Sequence, residues 1–193
     1  MGAPLDDLIS VGATTFTNLD DAGNVRSGGE GDSCLQPGVR PPDGFPTVVI
    51  EAGYTQSWNS LRQKARWWFT VSHFDVKIVI LVKFEHGTQR ITIEKWKAVE
   101  AVHRPGMRTR AQANAPAQTA QCIQIIHITC RPGHNHANPA SYDVTGPLHL
   151  EFVDVYLRQP IENPGQHVHE GDIVIDIAQL QAYAVQCFRV MAN

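Results

Sequence analysis

Residues 30–64 read EGDSCLQPGVRPPDGFPTVVIEAGYTQSWNSLRQK, and the order of features along them decides the fold. The run Thr47-Val48-Val49-Ile50 is nearly all β-branched or apolar and ends on an acid, which predicts a buried strand over Thr47 to Glu51. Gly53 then permits a sharp turn, and Thr55 or Ser57 is placed to cap a helix. Trp58, Leu61, Ala65, Trp68 and Phe69 recur at helical spacing and carry that helix to about residue 70. At about 100° per residue these five share one side, with Lys64 on one flank and Arg62 on the other. Either stem can lie along apolar surface and deliver its charge at the boundary. Upstream, Asp32 opens a second strand-like stretch, Asp32 to Gln36, and Pro37 to Pro46 is a proline-rich turn region. Glu51 needs a cation, a metal or a proton, because burying an unpaired charge costs several kcal/mol. Two carboxylates with an ammonium are also the minimum set for metal-assisted phosphodiester hydrolysis.

Outside this stretch, Ala13 to Leu19 predicts a strand followed by turn chemistry at Asp20 to Asn24. Val76 to Phe84 is the strongest strand in the chain, and the strand, helix, strand order predicts that it pairs parallel to the Glu51 strand. Ile91 to Trp96 alternates and reads as an outer strand joined to it by the turn at Glu85 to Arg90. Residues 98–121 are rich in Ala, Gln and Arg, with Pro105 and Pro116, and read as a flexible insertion. Gln121 to Cys130 and Pro147 to Leu157 are strand-like. Asp172 to Ile175 is a short strand, and Asp176 with Gln179 forms a capping box for a helix reaching about Val190.

The chain of 193 residues fits one domain with its own core, and its apolar fraction of 42% and charged fraction of 18% are those of a globular protein. The longest clean apolar run, Ile78 to Val82, falls far short of the roughly 20 residues that span a bilayer. Met1 to Asp7 has neither the basic start nor the apolar stretch of a signal peptide, so an intracellular location, cytoplasm or nucleus, and no membrane partner are expected. Cys34, Cys122, Cys130 and Cys187 are scattered; Cys122 and Cys130 on one strand would lie roughly 26 Å apart, so reduced thiols are expected. The net charge of −3 hides an asymmetry: residues 61–110 hold eleven of the sixteen basic residues and four of the nineteen acids. That segment is +7 and the remainder −10, a field suited to a polyphosphate backbone or an acidic partner.

The ordered series GATTF, EGDSCLQP, FPTVVIEAGYTQSWNSLRQKARWWF, VKIVILVKF, RITIEKW, YLRQP and EGDIVID resembles a group of uncharacterised fungal proteins. That group is similar in turn to bacterial restriction-endonuclease-like proteins of the PD-(D/E)XK nuclease superfamily. The resemblance covers roughly residues 8–190, and the segment from Glu30 to Trp96 carries nearly all of its specificity. It implies an α/β fold of the α+β type: a restriction-endonuclease-like core of a mixed sheet with flanking helices, extra C-terminal strands and a C-terminal helix, the chain beginning late in the first helix. It further implies that Asp32 is the first metal-binding acid, that Glu51 is the acid of the (D/E)XK half-motif, and that magnesium or manganese is the cofactor. Gly53 stands where that motif has lysine, and Pro46-Thr47 where a Pro-Asp pair is often found. In the bacterial relatives that the chain resembles, the lysine has moved into the following helix, about fourteen residues after the acid. Lys64, thirteen residues after Glu51, is the corresponding candidate, and Glu30 is a candidate further ligand.

The resemblance makes DNA or RNA the expected substrate. Arg62, Arg66, Lys77 and Lys83 are the candidate backbone contacts, and a homodimer is compatible with the chain. Two other readings use the same residues differently. A relative without catalysis would keep the fold as a nucleic-acid or protein binding module. A zinc-stabilised interaction module would draw on Cys130, His134 and His136, but their spacing matches no closed four-ligand pattern, which disfavours zinc. Of the four tryptophans, Trp58 and Trp68 lie on the apolar helix face, and only Trp67 points away from it.

Overall fold

The computed structural model describes residues 8–12, 14–19, 22–101, 117–161 and 170–191. In chain order its strands are β1 (Leu8–Ser10), β2 (Thr15–Leu19), β3 (Val25–Glu30), β4 (Ser33–Pro37), β5 (Val48–Gly53), β6 (Ile78–Glu85), β7 (Arg90–Glu100), β8 (Gln118–Cys130), β9 (Tyr142–Val144), β10 (Leu148–Leu150) and β11 (Ile173–Ile175). The α-helices are α1 (Trp58–Val71), α2 (Phe152–Tyr156) and α3 (Ile177–Met191). Seven strands form one mixed sheet in the order β1-β4-β5-β6-β7-β8-β9. Within it β5 and β6 are parallel, joined by the α1 crossover, and every other neighbouring pair is antiparallel. The β2–β3 hairpin and the β10–β11 pair are separate two-stranded sheets.

Strand parity divides the core into two layers. Val49, Val79, Leu81 and Trp96 point to the face covered by α1, where they pack with Leu61, Ala65, Trp68 and Phe69. Val48, Ile78, Ile80, Val82, Ile93 and Ile128 point to the other face and pack with Phe152 and Val155 of α2 and Leu180, Ala184 and Phe188 of α3. The sheet is thus the middle of three layers, and its inner strands are apolar on both faces because both are covered. This is a mixed α/β architecture with a large sheet and few helices, as the sequence implies at that level.

Helix α1 begins where Ser57 Oγ accepts the Ser60 amide at 3.1 Å and ends where His73 and Phe74 adopt left-handed backbone angles, φ 50° and 65°. That reversal returns the chain to β6. At the far end of the chain, the capping box is present in full: Asp176 Oδ1 accepts the Gln179 amide and Gln179 Oε1 accepts the Asp176 amide, each at 2.8 Å.

Three expectations are corrected. The Ile91–Trp96 segment is an inner strand, because β8 extends the sheet beyond it along nearly its whole length. The run Pro147 to Leu157 is only a three-residue strand followed by α2; Phe152, Val155 and Tyr156 repeat at three- to four-residue spacing, and Asp172 Oδ1 accepts the Phe152 amide at 2.9 Å where the helix begins. The two ends of the proposed insertion at 98–121 are strand. Ala98, Val99 and Glu100 pair with Ala120, Thr119 and Gln118 as the ends of a long β7–β8 ladder, and residues 102–116 lie outside the described residues.

Candidate functional site

Glu51 sits near the carboxyl end of β5, and its side chain turns to the α1 face with Val49. Its register neighbour in β6 is Leu81, and the neighbour of Leu81 in β7 is Glu94. Two acids therefore flank one leucine beneath the helix, each only 1% exposed. They are satisfied in the same way, by one indole N–H and one cation from α1. Trp68 Nε1 donates to Glu51 Oε1 at 2.8 Å and Lys64 Nζ to Glu51 Oε2 at 2.8 Å. Trp96 Nε1 donates to Glu94 Oε2 at 2.9 Å, while Arg62 reaches Glu94 through Nε at 3.1 and 3.2 Å and Nη2 at 2.5 Å. Arg62 and Lys64 are two residues apart on the helix and so point to opposite flanks, which sends one cation to each acid. The Glu94 hydrogen bond raises the Arg62 guanidinium above its ordinary value.

Asp32 joins this site through the backbone. Its Oδ2 accepts the Ala52 amide at 2.6 Å, which fixes the carboxylate against the residue after Glu51. Cys34, fully buried on β4, reports on both acids: burial first, then the charges of Glu51 and Asp32, push its thiol up to about 11, against a hydrogen bond from the Gly31 backbone. The site edge faces solvent through Asp32 and through the Lys64 side chain, which is 41% exposed.

Gly53, two residues after Glu51, has little room for a side chain. A Cβ at this position would stand 2.8 Å from Leu61 Cδ1 and 3.1 Å from Cδ2, and Leu61 is wholly buried. A side chain here would force the buried Leu61 side chain to shift.

The other candidates are dispersed. Glu30 belongs to the β2–β3 hairpin, where its Oε1 accepts the Thr15 hydroxyl. Arg66 lies over the Trp96 ring at 5.2 Å. Lys77 donates to the Phe74 carbonyl at 2.8 Å, at the start of β6, whereas Lys83 near its other end donates to the Gln56 carbonyl at 2.7 Å. Six residues of strand, roughly 20 Å, separate these two lysines, so they cannot share one phosphate. Trp67, which points away from the apolar helix face, packs on the hairpin: its indole N–H donates to Ser27 Oγ at 3.0 Å and its ring fills the space beside Gly29. Thr47 directs its hydroxyl to the Val155 carbonyl of α2 at 2.8 Å, away from the acids. Glu94 was not anticipated from the sequence. The signal for it was the alternation of RITIEKW, which puts Glu94 and Trp96 on one face.

Among the described residues no three His, Cys, Asp or Glu side chains gather as a metal-binding group. The Cys130 sulfur is 3.6 Å from the Arg131 carbonyl and His134 Nδ1 is 3.1 Å from the Pro132 carbonyl, each occupied locally. The pair Asp32 and Glu51 fits magnesium or manganese by donor type. Both are hard oxygen donors, each carboxylate keeps lone pairs beyond its present hydrogen bonds, and these ions hold several waters alongside one or two carboxylates.

No protein-family model, curated protein or solved structure matches the chain. No helix among the described residues is long and apolar enough to cross a membrane.

Proposed function

We propose that this chain is a restriction-endonuclease-like enzyme of the PD-(D/E)XK type that hydrolyses nucleic-acid phosphodiester bonds with magnesium or manganese. The observation that carries this reading is the 2.8 Å contact of Lys64 Nζ with Glu51 Oε2, since an acid and a lysine thirteen residues apart are brought together at the end of a parallel strand pair. Carboxyl ends of parallel strands are where open sheets place their ligand sites. Asp32 and Glu51 would hold the ion, with Asp32 oriented by the Ala52 amide. When bound, the ion would supply a nucleophilic water and offset charge on the phosphate. Lys64 would orient that water and stabilise the growing negative charge, and Trp68 fixes the Glu51 carboxylate for both partners.

The test is to incubate the purified protein with plasmid, linear and single-stranded DNA and with RNA, adding magnesium, manganese or chelator, beside Asp32→Ala and Glu51→Gln. Cleavage that needs the divalent ion and falls roughly 100-fold or more in both variants supports the reading. A wild type that cuts nothing, or variants that cut equally well, overturns it and leaves the binding-module reading in its place.

A further inference from the structure

One row beyond Glu51, the α1 face of the sheet carries a second polar line. The strand registers place Gly53 beside Lys83, Lys83 beside Thr92, and Thr92 beside His127, crossing β5, β6, β7 and β8 in turn. The next row is Glu85, Arg90 and Thr129. Parity puts these side chains on the same face as Leu81, Glu94 and Trp96.

Thr92 is buried, and its Oγ1 lies 3.1 Å from His127 Nδ1. A hydroxyl donating to Nδ1 leaves the ring proton on Nε2. The His127 backbone is pinned as well, since its amide donates to Thr145 Oγ1 at 2.9 Å and its carbonyl accepts the Thr145 amide at 3.1 Å. Among the described residues Nε2 has no partner and the ring is half-buried. A core histidine normally has both ring nitrogens bonded. Ile125, the preceding residue on this face of β8, is 50% exposed, so the strand lies open beside α1. With the Thr92 hydroxyl donating to Nδ1, His127 presents its Nε2 proton on an accessible face.

The rest of the line has the same character. Lys83 uses its ammonium on the Gln56 and Tyr54 carbonyls at 2.7 and 3.4 Å, which keeps a positive charge at the loop entering α1. Arg90 is exposed, and the acid of its row, Glu85, accepts the Thr88 hydroxyl. Cation, hydroxyl and imidazole along this line, with Glu85 of the next row bonded to the Thr88 hydroxyl, suit a row of phosphates.

We propose that Lys83, Arg90 and the Thr92–His127 pair form a backbone subsite for a nucleic-acid strand that runs across the sheet from Glu51 toward β8. The proposal rests on the reading of Glu51 and Lys64 as a phosphodiesterase centre. The span selects the ligand class: three interstrand steps of about 4.8 Å cover roughly 14 Å, several times the ~3.4 Å rise of one nucleotide along a strand. One phosphate group cannot reach the whole line, and a strand that carries several can.

The test uses the whole protein in chelator, with fluorescence anisotropy of short labelled single-stranded DNA and RNA. His127→Ala should weaken binding about tenfold, the worth of one hydrogen bond to a charged oxygen. Thr92→Val should weaken it by a smaller factor, and Arg90→Ala, at an exposed position that leaves the fold intact, should lower the salt slope by about one. If the wild type does not bind, or the His127 and Arg90 variants bind equally well with native melting curves, the subsite is overturned whether or not the wild type cleaves. If they bind more weakly but the wild type cleaves nothing, the subsite stands as a nucleic-acid-binding surface and the enzymatic reading falls.

Discussion

Lys64 Nζ meets Glu51 Oε2 at 2.8 Å, with a strand end, a turn and two turns of helix lying between them in the chain. The contact exists because α1 runs back over β5 and holds Lys64 above an acid that is 1% exposed. Removing the ammonium in Lys64→Met leaves the buried carboxylate with the Trp68 indole alone. Breaking a buried pair costs about 3–5 kcal/mol, and the partial exposure of Lys64 reduces this to about 1–3 kcal/mol. Urea denaturation should show that loss, and the Glu51→Gln, Lys64→Met double variant should recover part of it.

A side chain at position 53 should destabilise the fold. Gly53→Ala places a Cβ against Leu61 and should destabilise by about 1–3 kcal/mol, with Leu61→Ala on that background costing less than it does alone. Gly53→Lys should be worse than Gly53→Ala. Thermal melts of the four proteins check the order.

Much of this arrangement was legible in the residues themselves. The Glu51 strand, the α1 helix, the parallel β5–β6 pair and the capping box at Asp176 follow from local pattern, since each is encoded within a few residues. The opposite flanks of Arg62 and Lys64 were also readable from helical angle. What they would meet was not, because Glu94 lies thirty-two residues from Arg62 and its position depends on sheet register. The same reason hid the Thr92–His127 pair, thirty-five residues apart. Pro147 to Leu157 misled because a short helix entered directly from a strand leaves too few turns for its period to show.

Thr47 should act through packing. Its hydroxyl, buried in the core, donates to the Val155 carbonyl of α2, so Thr47→Val leaves that carbonyl unpaired and should cost about 1–3 kcal/mol. Thr47→Asp should destabilise further and add no activity, because the position faces α2. Melting curves and the cleavage assay together check both statements.

The Arg158–Glu170 pair gives the protein a defined acid response. Hydrogen bonds from Arg158, at 2.5 and 2.8 Å, and then the Ile161 amide at 2.8 Å hold the Glu170 carboxyl down at about 2. A carboxyl lowered on folding contributes stability above its ordinary value of 4.5, and that contribution is lost as pH falls toward about 2. Glu170→Gln should therefore melt below the wild type near neutral pH, and the gap should close in acid. A gap independent of pH would contradict the assignment.

Under the proposed function Asp32 and Glu51 together hold a divalent ion beside Lys64. This is tested most directly by titrating the protein into manganese and following the free-ion signal by electron paramagnetic resonance. The account predicts loss of free signal to one site in the wild type, and weakening of that site by an order of magnitude or more, about 10-fold at least, in both Asp32→Asn and Glu51→Gln. Manganese binding that is absent from the wild type, or unchanged in the two variants, would contradict it.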